Sequence, residues 1–294
     1  MVATIANTTL RAAAAAMLAI ALSACSGSSG GKSSAPAAAP QHTITGNVSS
    51  IDNFPMPQLN RTRRIWVYLP AGYAASTARY PVLYMNDGQN VFDAATSYSG
   101  EWGVDEAMTQ MEKDNPALGA IVVAIENGHM DREDEYVPSK HARQYVDFIV
   151  QTLKPYIDSH YRTNPGREHT AIGGASYGAT VSLYAGLTRQ DVFGMVLAFS
   201  NVTNDDNGVM NNVVATAGRK QDMQIYLDIG TLEEAQFPGV VASDQQLYQQ
   251  LLSVGFSPQH VRFVQDPQGR HHESAWQRRF PAAWRGFWPA QPAR

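Results

Sequence analysis

The stretch Thr170-Ala171-Ile172-Gly173-Gly174-Ala175-Ser176-Tyr177-Gly178-Ala179-Thr180 decides how this chain reads. A short apolar strand runs into Gly174-x-Ser176-x-Gly178, and a helical pattern begins near Tyr177. A bare GxSxG says little, because glycine-rich turns are common. Between a strand and a helix it predicts a nucleophile elbow. So tight a turn holds the serine in a strained backbone conformation. Glycines two residues to either side let the helix pass close to the strand. The strain lifts the Ser176 hydroxyl off the end of the sheet, within reach of a carbonyl. It also leaves the Tyr177 N–H at a helix N-terminus, aimed at a developing oxyanion. The plain alternative is a glycine-rich turn with no chemistry.

Working outward, strand and helix patterns alternate. Thr43 to Ile51 and Arg63 to Pro70 read as a leading antiparallel pair, followed by a buried strand over Pro81 to Asn86. Helical spacing covers Glu101 to Lys113, and Ala120 to Glu126 is a continuous apolar run, as in a strand covered on both faces. A long amphipathic helix is predicted over His141 to His160, then the elbow strand, then strands over Phe193 to Ser200 and Gln224 to Gly230. A helix over Ser243 to Val254, a strand over His260 to Val264 and a helix over Glu273 to Trp288 close the chain. This alternation predicts an α/β fold, a mostly parallel doubly wound sheet with helices on both faces. No internal repeat or second domain is visible.

Catalytic groups in such a sheet collect at the carboxyl ends of the strands. The order expected here is serine, acid, histidine. His271 and His272, between the last strand and the last helix, compete for general base, with His271 preferred. A neutral imidazole, of ordinary pKa about 6.5, takes a serine proton near neutral pH. Metal binding by this pair is disfavoured, since neighbouring histidines share no helix face and no HExxH spacing exists. The acid is expected after Ile225-Tyr226-Leu227-Asp228-Ile229. Glu233 is preferred, with Asp228 and Glu234 as rivals. The second oxyanion donor is expected in Asn86-Asp87-Gly88-Gln89-Asn90, where Gly88 would permit the backbone angles that turn the Gln89 N–H inward. Trp102 and the loop from Glu126 to Tyr136 fall at the same edge and are expected to shape the substrate mouth, the plain alternative being a charged loop that is simply solvated.

Composition sets the frame. The 294 residues are 44% hydrophobic and 16% charged, enough for one large globular domain. A net charge of −4 and the lack of a lysine-rich run argue against nucleic acid as a partner. Cys25 is the only cysteine, so no disulfide forms within the chain. It follows Arg11 and the apolar run Ala12 to Leu22, too short to span a bilayer and suited to a signal peptide. Leu22-Ser23-Ala24-Cys25 resembles the lipobox of bacterial lipoproteins. That resemblance implies cleavage before Cys25, lipidation of Cys25 and a membrane anchor in the bacterial cell envelope, periplasm-facing or outer-membrane. The expected organisation is a signal peptide over 1–24, a flexible Ser/Gly/Ala/Pro tether over 25–41 and a catalytic domain over 42–294.

Three separated motifs carry a second resemblance. Tyr84-Met85-Asn86-Asp87-Gly88-Gln89-Asn90-Val91-Phe92-Asp93 resembles the DGQN-x-FD segment of the putative esterase (esterase D-like) branch of the α/β-hydrolases, in its siderophore-esterase-like bacterial form. Gly174 to Gly178 fits the elbow of that family, His271 to Trp276 its H-x-E-x-x-W ending, and Asp228 to Glu233 its acid-bearing turn. The resemblance implies an α/β-hydrolase fold and a serine carboxylester hydrolase acting through an acyl-enzyme on a small-molecule ester. Ser176, His271 and Glu233 would form the triad, with oxyanion donors at Gln89 and Tyr177, and no metal or organic cofactor is expected. Two departures stand out: Ala179 replaces a glycine, and Phe199-Ser200-Asn201-Val202-Thr203 replaces a Ser-Pro-Ser-Phe-Trp segment near the acyl pocket. The rivals are an acyltransferase of the same fold, a non-catalytic lipid-anchored binding module and a thioester hydrolase.

Overall fold

A computed structural model describes residues 41–202 and 208–287. The expected signal peptide, Cys25 and the tether up to residue 40 lie outside the described residues. Eight strands alternate with helices. In chain order they are β1 (Asn47–Met56), β2 (Arg61–Leu69), β3 (Val82–Asn86), α1 (Val104–Asp114), β4 (Ile121–Ile125), α2 (Arg132–Tyr136), α3 (Ala142–Phe148), α4 (Lys154–His160), β5 (Thr170–Ser176), α5 (Tyr177–Thr188), β6 (Met195–Asn201), α6 (Val209–Ala217), β7 (Gln224–Gly230), α7 (Val240–Ser253), β8 (Val261–Asp266) and α8 (Glu273–Phe287). They form one sheet in the order β1-β2-β4-β3-β5-β6-β7-β8. β2 runs antiparallel to β1 and β4, and every other pair is parallel. This is the α/β-hydrolase fold expected from the sequence. No helix of the described residues is long and apolar enough to cross a membrane.

The apolar runs of β3 and β4 are explained by burial on both faces. Alternate side chains enter two cores. Val82, Tyr84, Ile121 and Val123 face the layer built by α3, α5, α6 and α7. Leu83, Met85, Val122 and Ala124 face α1 and α8. Sandwiched this way, the sheet delivers its parallel strands to one carboxyl edge, where Asn86, Ser176, Asn201 and Gly230 end β3, β5, β6 and β7.

Several boundaries differ from expectation for identifiable reasons. β1 continues past Ile51 through a bulge between Ile51 and Phe54, with Asn53 at φ 55°. The long helix predicted over His141 to His160 is interrupted by a π turn at Ile149–Leu153, which ends two residues before Pro155. Proline lacks the N–H of a regular turn and its ring crowds the preceding carbonyl, so the helix widens there. α6 is absent from the expected elements, since its two asparagines and three β-branched valines weaken the helical signal. It forms because Met210 and Val214, four residues apart, both bury in the core.

The elbow depends on close approach. A Cβ on Gly174 would lie 2.8 Å from the backbone of Gly178. Gly174→Ala is therefore expected to force β5 and α5 apart and cost about 1–3 kcal/mol of stability, read as a shifted urea midpoint at unchanged slope.

Candidate active site

Ser176 occupies the β5–α5 junction with φ 58° and ψ −129°, half-buried. Such a conformation costs a non-glycine residue of order 1–3 kcal/mol and persists only where its surroundings impose it. The surroundings are visible. Asn86, at the end of β3, donates its side-chain amide to the Gly173 and Gly178 carbonyls at 3.3 and 3.1 Å and to Ser182 Oγ at 2.9 Å. Tyr145 OH donates to Asn86 Oδ1 at 2.6 Å. One buried asparagine thus ties the elbow to the neighbouring strand. Tyr177 begins α5 directly after Ser176.

The loop after β3 carries Gln89, buried in a short 3-10 turn over Gly88–Asn90. The left-handed residue is Asp87, at φ 58°, rather than Gly88. Gly88 is required for space instead, since a Cβ there would lie 2.7 Å from the backbone of Ala124 and Ile125. Arg132 grips Asp87 with two bonds, Nε to Oδ1 at 2.6 Å and Nη2 to Oδ2 at 2.8 Å. Asn127 adds Nδ2 to Asp87 Oδ1 at 2.7 Å, while its backbone N–H donates to Gln89 Oε1 at 3.2 Å. The segment from Glu126 to Tyr136 therefore buttresses the Gln89 loop from within. Glu135 and Tyr136 are wholly buried, Glu135 being ion-paired with Arg61 and Arg63. Trp102 is buried too, edge-on to Phe199 at 5.3 Å and tilted on Trp276 at 5.5 Å. Trp102, Glu135 and Tyr136 thus pack inward, while His129, Met130, Asp131 and Glu133 of the same loop are exposed. An acidic stretch looks solvated in sequence even where one inner residue, Glu135, is buried against Arg61 and Arg63.

His271 and Glu233 meet at the ends of β8 and β7, with His271 Nδ1 2.7 Å from Glu233 Oε2. His271 lies edge-on to Phe237 and Trp276, at 5.0 and 5.2 Å between ring centres. His272 is exposed and makes its bond locally, its Nδ1 accepting from the Ser274 N–H at 3.2 Å at the start of α8. The other acids are committed elsewhere. Glu234 accepts from the Gly239 and Val241 N–H groups at the start of α7. Asp228 is fully buried, accepts from Tyr226 OH at 2.8 Å and the Ser200 N–H at 3.2 Å, and pairs with Arg279 Nε at 3.0 Å. Burial pushes the Asp228 carboxyl up to about 7, against the pull of Arg279 and its hydrogen bonds. Burial acts on Glu233 in the same sense. There, hydrogen bonds from His271 and Ser200, the nearby His271 charge and the Gly230 N–H prevail, holding the carboxyl below its ordinary value.

Ser200 is the residue that sequence reasoning missed. It is fully buried at φ 48°. Its Oγ donates to Glu233 Oε1 at 2.6 Å and accepts from Trp276 Nε1 at 2.8 Å and Arg279 Nη2 at 3.0 Å. It falls in the segment flagged as a departure, and a serine in a strand end carries no sequence signal of its own. Beyond it, Thr180 Oγ1 donates to Asn201 Oδ1 at 3.1 Å and to the Val202 carbonyl at 2.7 Å, anchoring that departure to α5. Ser200→Ala would strand two buried donors, at a stability cost of about 1–3 kcal/mol. By loosening Glu233 it is expected to lower kcat on an ester substrate about 10–100-fold with KM little changed, in steady-state assays.

An open cleft of about 520 Å³ borders His271 and His272, lined also by Leu232, Ala235, Gln236, Arg270 and Ser274. It carries no carboxylate, and it adjoins the histidine side of the site rather than Ser176.

Known proteins resemble the chain over most of the described fold. The family described as "Putative esterase" matches residues 57–287. The iron(III) enterobactin esterase of Escherichia coli K12 is 26% identical over 204 residues, covering 66% of this chain and 46% of that protein. The enterobactin esterase structure from Shigella flexneri, determined in the presence of enterobactin, superposes with a TM-score of 0.67 at 20% identity, over 84% of this chain and 59% of that one. This chain therefore spans less than two thirds of either enterobactin esterase. A ferulic acid esterase structure superposes with a TM-score of 0.63 at 21% identity, over 82% of this chain and 99% of its own. With the family match running from residue 57 to residue 287, more than three quarters of its length, this chain belongs to the putative esterase family of the α/β-hydrolase fold.

Proposed function

We propose that the protein is a serine carboxylester hydrolase in which Ser176 forms an acyl-enzyme. His271 presents Nδ1 to Glu233, which leaves Nε2 to take the Ser176 proton and return it to the departing alcohol. Glu233, ionised and doubly hydrogen-bonded through Oε1, fixes that tautomer and stabilises the imidazolium. The Tyr177 and Gln89 N–H groups serve the tetrahedral oxyanion, each such donor being worth about 10²–10³-fold in rate. Water resolves the acyl-enzyme. The observation that carries this reading is the Ser176 backbone, held at φ 58° at the same sheet edge that brings His271 onto Glu233. On the lipobox-like Leu22 to Cys25, the reading extends to a lipid-anchored protein of the bacterial envelope.

The test is labelling by a fluorophosphonate probe alongside hydrolysis of an ester panel. Because similar proteins are named for enterobactin and ferulic acid, the panel includes enterobactin and feruloyl esters beside short p-nitrophenyl esters. One label on the peptide bearing Ser176, with time-dependent loss of hydrolysis, is expected. A label elsewhere, or a folded protein that neither labels nor hydrolyses, would turn the reading toward a binding module.

A further inference from the structure

At the start of α1 stand three carboxylates that no lysine, arginine or histidine of the described residues neutralises. One carboxylate oxygen from each of Glu101, Asp105 and Glu106 lies within 4.8 Å of the other two. Asp105 is 0% exposed, and Glu101 and Glu106 are half-buried. Each carries a buried oxygen without a hydrogen-bond partner: Glu101 Oε1, Asp105 Oδ1 and Glu106 Oε2. Two of the sister oxygens are engaged, since the Thr45 N–H donates to Asp105 Oδ2 at 2.6 Å and Thr45 Oγ1 to Glu106 Oε1 at 2.8 Å. Among the described residues none of the three is ion-paired with a lysine, arginine or histidine, and the nearby His42 pairs with Asp93 instead.

Buried carboxylates pair with cations or coordinate metal, because an uncompensated charge away from water is costly. Here three converge, and Asp105, shut off from solvent, leaves one oxygen unanswered. We propose that Glu101, Asp105 and Glu106 bind a hard divalent cation, calcium in preference to magnesium, which fastens the segment Thr43 to Thr45 to the start of α1. Calcium accepts six to eight oxygens in a flexible geometry, which suits three carboxylates fixed by the fold, whereas magnesium demands a near-ideal octahedron and gives up its waters reluctantly. The half-buried glutamates leave a solvent side from which water completes the six to eight ligands calcium takes. The ion has no part in ester chemistry. It braces the site indirectly, since Glu101 precedes Trp102, which packs on Trp276, and Trp276 in turn packs on His271. The competing account is a shared proton: without a cation, burial first and the adjoining Glu106 second push the Asp105 carboxyl up to about 8.

The experiment strips the protein with EDTA and titrates it with CaCl2 and, separately, MgCl2, by calorimetry and by thermal melting at pH 7. One calcium per chain is expected, with a Tm rise of about 5–10 °C at a hundredfold excess over Kd, and a smaller response to magnesium. The double variant Glu101→Gln with Glu106→Gln keeps both side-chain shapes and should melt like the calcium-free protein while losing the calcium response. No heat and no Tm shift in the wild type at millimolar calcium overturns the proposal in favour of the shared proton. So does an unchanged calcium response in the double variant. Both readouts are independent of catalysis, so this inference and the hydrolase reading fail separately.

Discussion

Ser176→Ala is expected to reduce kcat on p-nitrophenyl esters by about 10⁴–10⁶-fold while leaving KM and the melting temperature nearly unchanged. In the proposed mechanism the hydroxyl is the atom that becomes acylated, so its removal leaves no weaker version of the same route. What survives is the oxyanion hole acting on bound substrate with water as nucleophile, which accounts for a residual rate above background. Stability is spared for a structural reason. The strain at Ser176 belongs to its backbone, at φ 58°, and alanine pays the same cost at that angle. His271→Ala should fall nearly as far, and the double variant scarcely further, because the two groups act as a unit. Substantial activity in Ser176→Ala, measured with enzyme purified free of host esterases, would remove Ser176 from the mechanism altogether.

The fold was legible because its strands announce themselves. Residues of β3 and β4 are buried on both faces, and such strands read as unbroken apolar runs whatever lies around them. The elbow was legible because its chemistry is local: Gly174, Ser176 and Gly178 fall within five residues, and a positive φ on a non-glycine is what that spacing demands. Elements that depend on distant partners were not. α6 owes its helix to the burial of Met210 and Val214, and α2 lies in a stretch whose acidic residues suggested a solvated loop. In both, tertiary burial overrode local preference.

The site divides along the same line. The sequence placed Glu233, Asp228 and Glu234 within seven residues and could only rank them. Their roles separate through their partners: Tyr226 and the remote Arg279 engage Asp228, the start of α7 engages Glu234, and Ser200 and His271, both more than thirty residues away, converge on Glu233. Ser200 and Arg279 escaped notice because a buried serine and a helical arginine look ordinary until their partners are known. Gly88 was noticed for the wrong reason, as a source of unusual angles. Its missing side chain instead makes room for the backbone of β4.

Glu233→Gln tests the acid more sharply than deletion, because the existing hydrogen bonds dictate how the amide must sit. Glu233 Oε1 accepts from Ser200 Oγ at 2.6 Å and the Gly230 N–H at 2.9 Å, and both are donors. A glutamine keeps those bonds only by placing its carbonyl oxygen at that position, which turns its NH2 toward His271 Nδ1. The imidazole must then accept at Nδ1 and carry its proton on Nε2, the nitrogen that should receive the Ser176 proton. The expected result is a loss of about 10³–10⁴-fold in kcat with KM little changed, the size of effect a wrong tautomer produces elsewhere. Stability should respond to pH in a definite sense. The Glu233 carboxyl is held below its ordinary value in the folded protein, so its contribution is full above the unfolded value near 4.5. That contribution disappears as pH falls through the lower folded value. The stability gap between wild type and Glu233→Gln in urea should therefore be wide at pH 7 and narrow toward pH 3. Asp228→Asn is the control, since Asp228 touches Ser200, Tyr226 and Arg279 but not His271. If Asp228→Asn loses more activity than Glu233→Gln, then Asp228 takes over as the acid and the Glu233–His271 contact is no more than a packing pair.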